Sequence, residues 1–275
     1  MLSAYMMAST SKNGRKGRAF SENGSARRAA EPVEEAAFLA SYDAAQFEHP
    51  SVTVDVVLLT VREARILTLV VQRREHPFRG RWAIPGGFVR ITESLEAAAS
   101  RILHDKCGLE NVYLEQLRTF GRPERDPRTR VISIAHYALV DALGFDRAQR
   151  RSDQVKAGQV IVPWKGETGG VVELVDEQGK VMPLAFDHGD MLGVAVQRIR
   201  GKLDYSPIGF QLLPERFTLL QLQKVHETVL GRALNKDSFR RRMLASGELT
   251  ATGEMQSGVD HRPAELYRFL RQSAV

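Results

Sequence analysis

The chain holds one cysteine, Cys107, in 275 residues, so no internal disulfide can staple it. It also lacks any apolar run of the roughly 18 residues that a membrane-spanning helix needs. The strongest candidate, Val54 to Val61, is interrupted by Asp55 and stops at Arg62. No segment has the charged, apolar and small-residue regions of a secretory leader, which makes a reducing cytoplasm the expected compartment and leaves no membrane partner. Internal repeats are missing, and so is low-complexity sequence beyond the first 30 residues. What is present is 43% apolar residues, enough for one or two packed cores and too many for a wholly disordered chain.

Charge is uneven. Lys and Arg number 39 against 33 Asp and Glu, a net +6. Residues 1 to 30 carry six cations against Glu22 alone and are rich in Ser, Ala and Gly, as a disordered basic tail would be; residues 31 to 50 carry five carboxylates and cancel it. The excess therefore sits in the folded remainder, a modest surplus that suits either an ordinary solvated surface or a nucleic-acid partner.

Glu35 to Phe47 reads as a helix ended before Pro50. The β-branched runs Ser51 to Val61 and Ile66 to Arg74 read as adjacent strands, and a further strand follows over Trp82 to Phe88. A helix from Ser94 to Cys107, a strand from Val131 to Val140 and a Gly-rich stretch from Trp164 to Lys180, read as a surface excursion that ends in a hairpin over Val171 to Lys180, come next. Met191, Leu192, Ala195, Val196 and Ile199 recur at helical spacing within Phe186 to Gly201, with Gly201 as the stop and Pro207 and Gly209 as a boundary. Mixed strands and helices predict an α+β or α/β architecture.

Arg81 to Leu109 is the informative stretch. Gly86 and Gly87 let the backbone approach a ligand closely, and amides of such a loop, followed by a helix N-terminus, suit a phosphate; a bare tight turn would use the same residues. Five residues separate Gly87 from Glu93 and seven more lead to Arg101, with Leu103, Gly108 and Leu109 beyond. This spacing resembles the Nudix box, G-x5-E-x7-R-E-U-x-E-E-x-G-U. The resemblance implies three magnesium-holding carboxylates after the arginine, but Ile102, Asp105 and Lys106 stand there. One carboxylate beside an ammonium is a poor seat for that ion, so no catalytic residue and no metal ligand are assigned; the competing reading rebuilds a site from Glu93, Glu96 and Asp105. A scaffold that cannot cleave can still bind, with Arg81, Gly86, Gly87, Glu93 and Lys106 as candidate ligand-binding residues. Lys106 either steadies a diphosphate or pairs with Glu93 or Asp105, and Trp82 either stacks on a base or packs in the core. Arg122, Asp126, Arg128 and Arg130 either line the pocket or form a charged loop.

Beyond Pro214 the pattern changes. Thr218 to Gln221 is a capping box, Leu219, Leu222, Val225, Val229 and Leu230 form an apolar stripe, and Gly231 ends the helix. Asn235 caps a second helix to Ser246 in which Phe239 and Met243 face inward, sending cations outward. Two strands around a turn complete a winged helix-turn-helix. Asn235, Lys236, Ser238, Arg240, Arg241, Arg242 and, in the wing, Arg262 are the candidate DNA contacts; a basic helix of a protein-binding wing is the alternative.

Both halves together, through RWAIPGGFV from Arg81, LAFDH from Leu184, KLDYSPI from Lys202 and LLPERFTLLQLQKVHE from Leu212, resemble the Nudix-related transcriptional regulators of NAD metabolism. Beyond the disordered basic tail that composition gives at 1–35, which is less typical of that group, the resemblance implies a Nudix-like α/β/α sandwich with a mixed sheet at 36–208 that senses ligand, and a DNA-binding winged helix at 209–275. It also implies a homodimeric repressor of NAD biosynthesis or salvage genes, bound to a double-stranded operator, with ADP-ribose or a related nucleotide as effector and no cofactor required. Two other functions remain open at this stage, a Nudix pyrophosphatase acting on ADP-ribose or a dinucleotide, and a protein-interaction scaffold.

Overall fold

The computed structural model describes residues 34–151, 153–260 and 262–270, so the expected basic tail lies outside the described residues except for its last two. Residues up to His49 form one unit and those from Pro50 onward another. In the first, α1 spans residues 34–41 and a separate helical turn covers Ala44–Gln46. The single helix expected from Glu35 to Phe47 is split because Asp43 is extended and its carboxylate accepts from the Ala45 N–H at 3.0 Å, starting a new turn.

The second unit is built on an eight-stranded mixed sheet. Its long strand β1 (Ser51–Arg62) runs parallel to β6 (Val131–Leu139) and antiparallel to β2 (Arg65–Gln72) and β4 (Gly86–Phe88), while β3 (Trp82–Ala83) pairs with β2. Side chains alternate across β1. Val54, Val56 and Leu58 meet Ala98, Ala99, Ile102 and Leu103 of α2 (Leu95–Cys107) on one face. Val57 and Leu59 meet Met191, Leu192, Val196 and Ile199 of α4 (His188–Lys202) on the other. The expected α/β/α layering results. Asp55 belongs to the second set by register, so the sheet aims a buried carboxylate at the start of α4.

Three elements appear that the sequence reading did not anticipate: β5 (Tyr113–Phe120) at one edge of the sheet, α3 (Ala142–Arg150), and β7 (Val155–Ile161) beside β2. The Gly-rich segment is not a surface excursion. Its β8 (Glu173–Val175) pairs with β7, and the chain before it lies along α4. A Cβ on Gly193 would stand 2.4 Å from the Gly170 carbonyl, and Gln197 Nε2 donates to the Glu167 carbonyl at 2.7 Å. Gly201 does not stop α4, which continues to Lys202; a Cβ there would meet Glu167 Oε2 at 2.8 Å, so the glycine makes room for the packed segment instead.

Beyond a helical turn at Pro207–Leu212, α5 (Leu219–Leu230) starts on both bonds of the Thr218 capping box and ends at Gly231 with φ +66°. Asn235 caps α6 (Lys236–Ala245) by accepting from Ser238 N at 3.0 Å, and β9 (Leu249–Met255) pairs with β10 (Glu265–Phe269) as the wing. Ile208, Phe210 and Leu212 join Leu222, Val225, Phe239 and Tyr267 in the same apolar core as α4 and the sheet. No gap in packing marks Pro207 or Gly209.

His226 on α5 is part of that core. It lies 5.1 Å from the Phe239 ring, and burial, aided by Arg242 and opposed by Asp204, lowers its pKa to about 4. An unfolded chain binds a proton at this imidazole more readily than the folded one, so its neutral burial favours folding fully above about pH 6.5 and loses that advantage as pH falls toward 4, a span of about 3 kcal/mol. Urea unfolding of His226→Leu between pH 7 and 5 is expected to show a shallower loss of stability than the unmodified chain; equal slopes would show that His226 contributes nothing to it.

Candidate functional site

Gly86 is required by an approach, not by a turn. It opposes Asp55 in the β1–β4 pairing, and a Cβ at this position would lie 1.9 Å from Asp55 Oδ1. Asp55 also accepts from the Ser133 hydroxyl. Around it stand three groups from distant parts of the chain. Arg125 is 9% exposed and donates to Asp187 from Nε at 2.9 Å and from Nη2 at 2.7 Å, with Nη2 4.0 Å from Asp55. Asp187 occupies the N-cap position of α4 but gives its carboxylate to Arg125 and not to the helix N–H groups. His188 Nδ1 accepts from Ile84 N at 2.9 Å, so the proton of the neutral ring sits on Nε2, 3.8 Å from Asp55 Oδ1; burial pushes its pKa down and keeps it neutral.

Two cavities of about 500 Å³ each flank this cluster and share Arg125 and Phe186 in their walls. One contains Gly86, Gly87 and Lys106, three of the five expected ligand residues, together with Asp126 and Arg128. Lys106 is exposed and makes no ion pair among the described residues, so the pairing with Glu93 or Asp105 is not formed. Glu93 lies away from the cavity. Arg101 Nε donates to it at 2.9 Å and Arg90 N at 2.8 Å, and the arginine holds its pKa down at about 2. It fastens the glycine loop to α2. Arg81 also stands outside, its guanidinium 5.5 Å from the Phe78 ring centre, and Trp82 packs against the core under Lys156. Of the charged loop, Asp126 and Arg128 bind each other in the wall, Arg122 bonds Asp190 at the other cavity, and Arg130 donates to the Gly121 carbonyl.

The donor set does not fit a magnesium ion. Ile102 is 2% exposed, packed among apolar side chains beneath Gly87. Asp105 faces outward, 4.0 Å from Arg101, and Glu93 is taken by the same arginine. Among the described residues no group of three His, Cys, Asp or Glu side chains is placed to hold a metal.

The second candidate surface is α6. Lys236, Ser238, Arg240 and Arg241 are exposed while Phe239 and Met243 are buried. Arg242 is exposed but engaged, with Nη1 3.3 Å from Asp204 Oδ1 just after α4 and its guanidinium 5.7 Å from the Phe239 ring centre. Arg262 is exposed before β10, and Arg216 ties the start of α5 to Glu254 of the wing at 2.8 Å. The sequence reading missed Asp55, Arg125, Asp187 and Phe186. Asp55 carries a signal, since it is the one charge inside an apolar strand.

Two family models match the chain, a NUDIX domain over residues 49–165 and an NrtR DNA-binding winged helix domain over 209–269. The ADPR responsive transcriptional repressor NtrR of Acinetobacter baylyi is 35% identical over 240 residues, 86% of this chain and 89% of that protein. An ADP-ribose pyrophosphatase of Methanocaldococcus jannaschii is 36% identical over 96 residues, 35% of this chain and 53% of that one. The crystal structure of Shewanella oneidensis NrtR complexed with a 27mer DNA superposes with a TM-score of 0.67 at 34% identity, covering 80% of this chain and 93% of that one.

Proposed function

Because the chain belongs to the NrtR family of transcriptional regulators, in which a Nudix domain precedes a DNA-binding winged helix, we propose that it represses genes of NAD biosynthesis or salvage and is released from DNA by ADP-ribose or a related nucleotide. The observation that carries this reading is that a domain with a cation-lined cavity, unsuited to magnesium, shares one apolar core with a winged helix whose second helix exposes Lys236, Arg240 and Arg241. Lys106 and the Gly86–Gly87 loop take the diphosphate in this reading, and Ile102 and Lys106 leave no metal-dependent hydrolysis. The chain acts as a homodimer in the cytoplasm, its two α6 helices meeting successive major grooves of a pseudo-palindromic operator. Residues 36–208 sense and 209–275 read; no cofactor is needed.

Gel-shift on DNA upstream of NAD genes tests it, with and without ADP-ribose. Arg240→Ala and Arg241→Ala are each expected to weaken binding about tenfold and to reduce the salt dependence by about one counterion, whereas Arg242→Ala, already paired with Asp204, changes less. Indifference to every such fragment, combined with magnesium-driven turnover of ADP-ribose, would return the chain to the pyrophosphatases.

A further inference from the structure

The turn at 231–235 joins α5 to α6, and one residue of α5 takes three of its N–H groups. The Glu227 carbonyl accepts from Gly231 N and, at 3.2 Å, from Arg232 N, while Glu227 Oε1 accepts from Leu234 N at 3.0 Å. Gln223, one turn earlier on the same face of α5, donates from Nε2 to the Leu234 carbonyl at 3.1 Å and to Glu227 Oε1 at 3.0 Å. Both backbone groups of Leu234 are thus gripped by side chains of α5. Leu234 stands immediately before Asn235, the N-cap of α6. Gln223 is 8% exposed, so little water competes for its part of the grip. The Leu234 N–H, helped by Gln223 and Lys224, holds the Glu227 carboxyl below its ordinary pKa and keeps it an acceptor.

We infer that Gln223 and Glu227 are positioning residues of the DNA reader, fixing through Leu234 where the first half of α6 lies and so which bases it can select. The inference rests on the DNA-binding reading and deepens it. Phe239 and Met243 turn α6 toward the core, but apolar contact is non-directional and leaves slide and tilt open. The bonds at Leu234 are directional and close both. From Met243 back to Lys236 is about 10 Å of helix, and a tilt of about 10° carries Lys236 by about 2 Å. Bonds to base edges tolerate an error of about 0.5 Å, whereas the attraction of exposed cations to phosphates is spread along the duplex and survives larger shifts. Loosening the turn therefore costs selection among sequences more than it costs attachment to DNA.

Fluorescence anisotropy of the full chain over a salt series provides the test, with duplex DNA from upstream of the NAD genes and a scrambled duplex of the same length and composition. Glu227→Ala and Gln223→Met, the second close in volume and unable to donate, are each expected to lower the preference for the upstream duplex at least about tenfold. Affinity for the scrambled duplex is expected to stay within about twofold and the salt slope to stay unchanged, since no phosphate contact is removed. Glu227→Gln keeps an acceptor oxygen for Leu234 N and Gln223 and gives up only the exposed pair with Lys224, so it is expected to keep the preference within about twofold. Preference unaltered in Glu227→Ala and Gln223→Met, or affinity for both duplexes falling in parallel, overturns the inference. Tighter binding to both duplexes in Glu227→Gln would make the carboxylate a charge that repels phosphate and overturns it equally. If the unmodified chain does not prefer the upstream duplex, the DNA-binding reading itself fails, and the inference with it.

Discussion

Arg125→Ala is expected to lower the unfolding free energy by about 3–5 kcal/mol, because it leaves Asp187 and Asp55 in the interior without the cation that balances them. The reason is an asymmetry of buried ion pairs. Forming one gains little over an apolar replacement, since both partners give up water. Removing one partner keeps the desolvation of the other and discards the attraction. The double variant Arg125→Ala with Asp187→Ala is accordingly expected to be more stable than Arg125→Ala alone. Urea unfolding of the unmodified chain, both single variants and the double variant measures both quantities, and additive losses would show that the pair is not coupled.

A loss of similar size is expected for Arg200→Ala, about 3–5 kcal/mol. Arg200 is 4% exposed and bonds no carboxylate among the described residues. Its Nε donates to the Val229 carbonyl at 2.7 Å, and Nη1 donates to the carbonyls of Gly166 at 3.0 Å and Trp164 at 3.1 Å, with the guanidinium over the Trp164 ring. Each carbonyl stranded in the interior costs about 1–3 kcal/mol. Val229 is one residue from the end of α5, where a cation also meets the negative end of the helix dipole. Arg200→Lys is expected to recover only part of the loss, since an ammonium cannot span carbonyls from two segments as the planar fork does. Complete rescue by lysine would mean that charge alone matters at this position.

What could be read from the chain beforehand was whatever is written locally. Ser94 and Gly108 bracket α2 in sequence and do so in the fold, accepting from Ala97 N and adopting φ +64°. The Thr218 box, the Asn235 cap and the glycine at 231 are equally local. Elements whose stability comes from distant partners were not legible. β5 breaks its alternation at a bulge between Gln116 and Arg118. β7 contains Gly158, which would read as a breaker, yet that glycine makes room for Leu174 of β8, 2.6 Å from where a Cβ would sit. α3 buries only Gly144, Phe145 and Ala148, too few to show a period.

The site divides the same way. Its glycines were visible as a motif, but the need for Gly86 comes from Asp55, thirty-one positions earlier in the chain. Arg125 was hidden among the charges of its loop, with nothing nearby to separate a buried guanidinium from the solvated ones at 122, 128 and 130. The replacement at 102 could be recognised because the box fixes the register; that the isoleucine turns its side chain into the core could not.

Fifteen residues make α4 a rod about 22 Å long, with the Asp187–Arg125 bond at its first turn and Arg200 and the Asp204–Arg242 contact at its last. A hydrogen-bonded rod can shift or swivel but hardly stretches. Whatever displaces its head must therefore move its foot by a comparable amount and in a fixed angular phase. One extra residue in the middle would turn the foot by about 100° and advance it by about 1.5 Å, leaving both ends intact but facing the wrong neighbours.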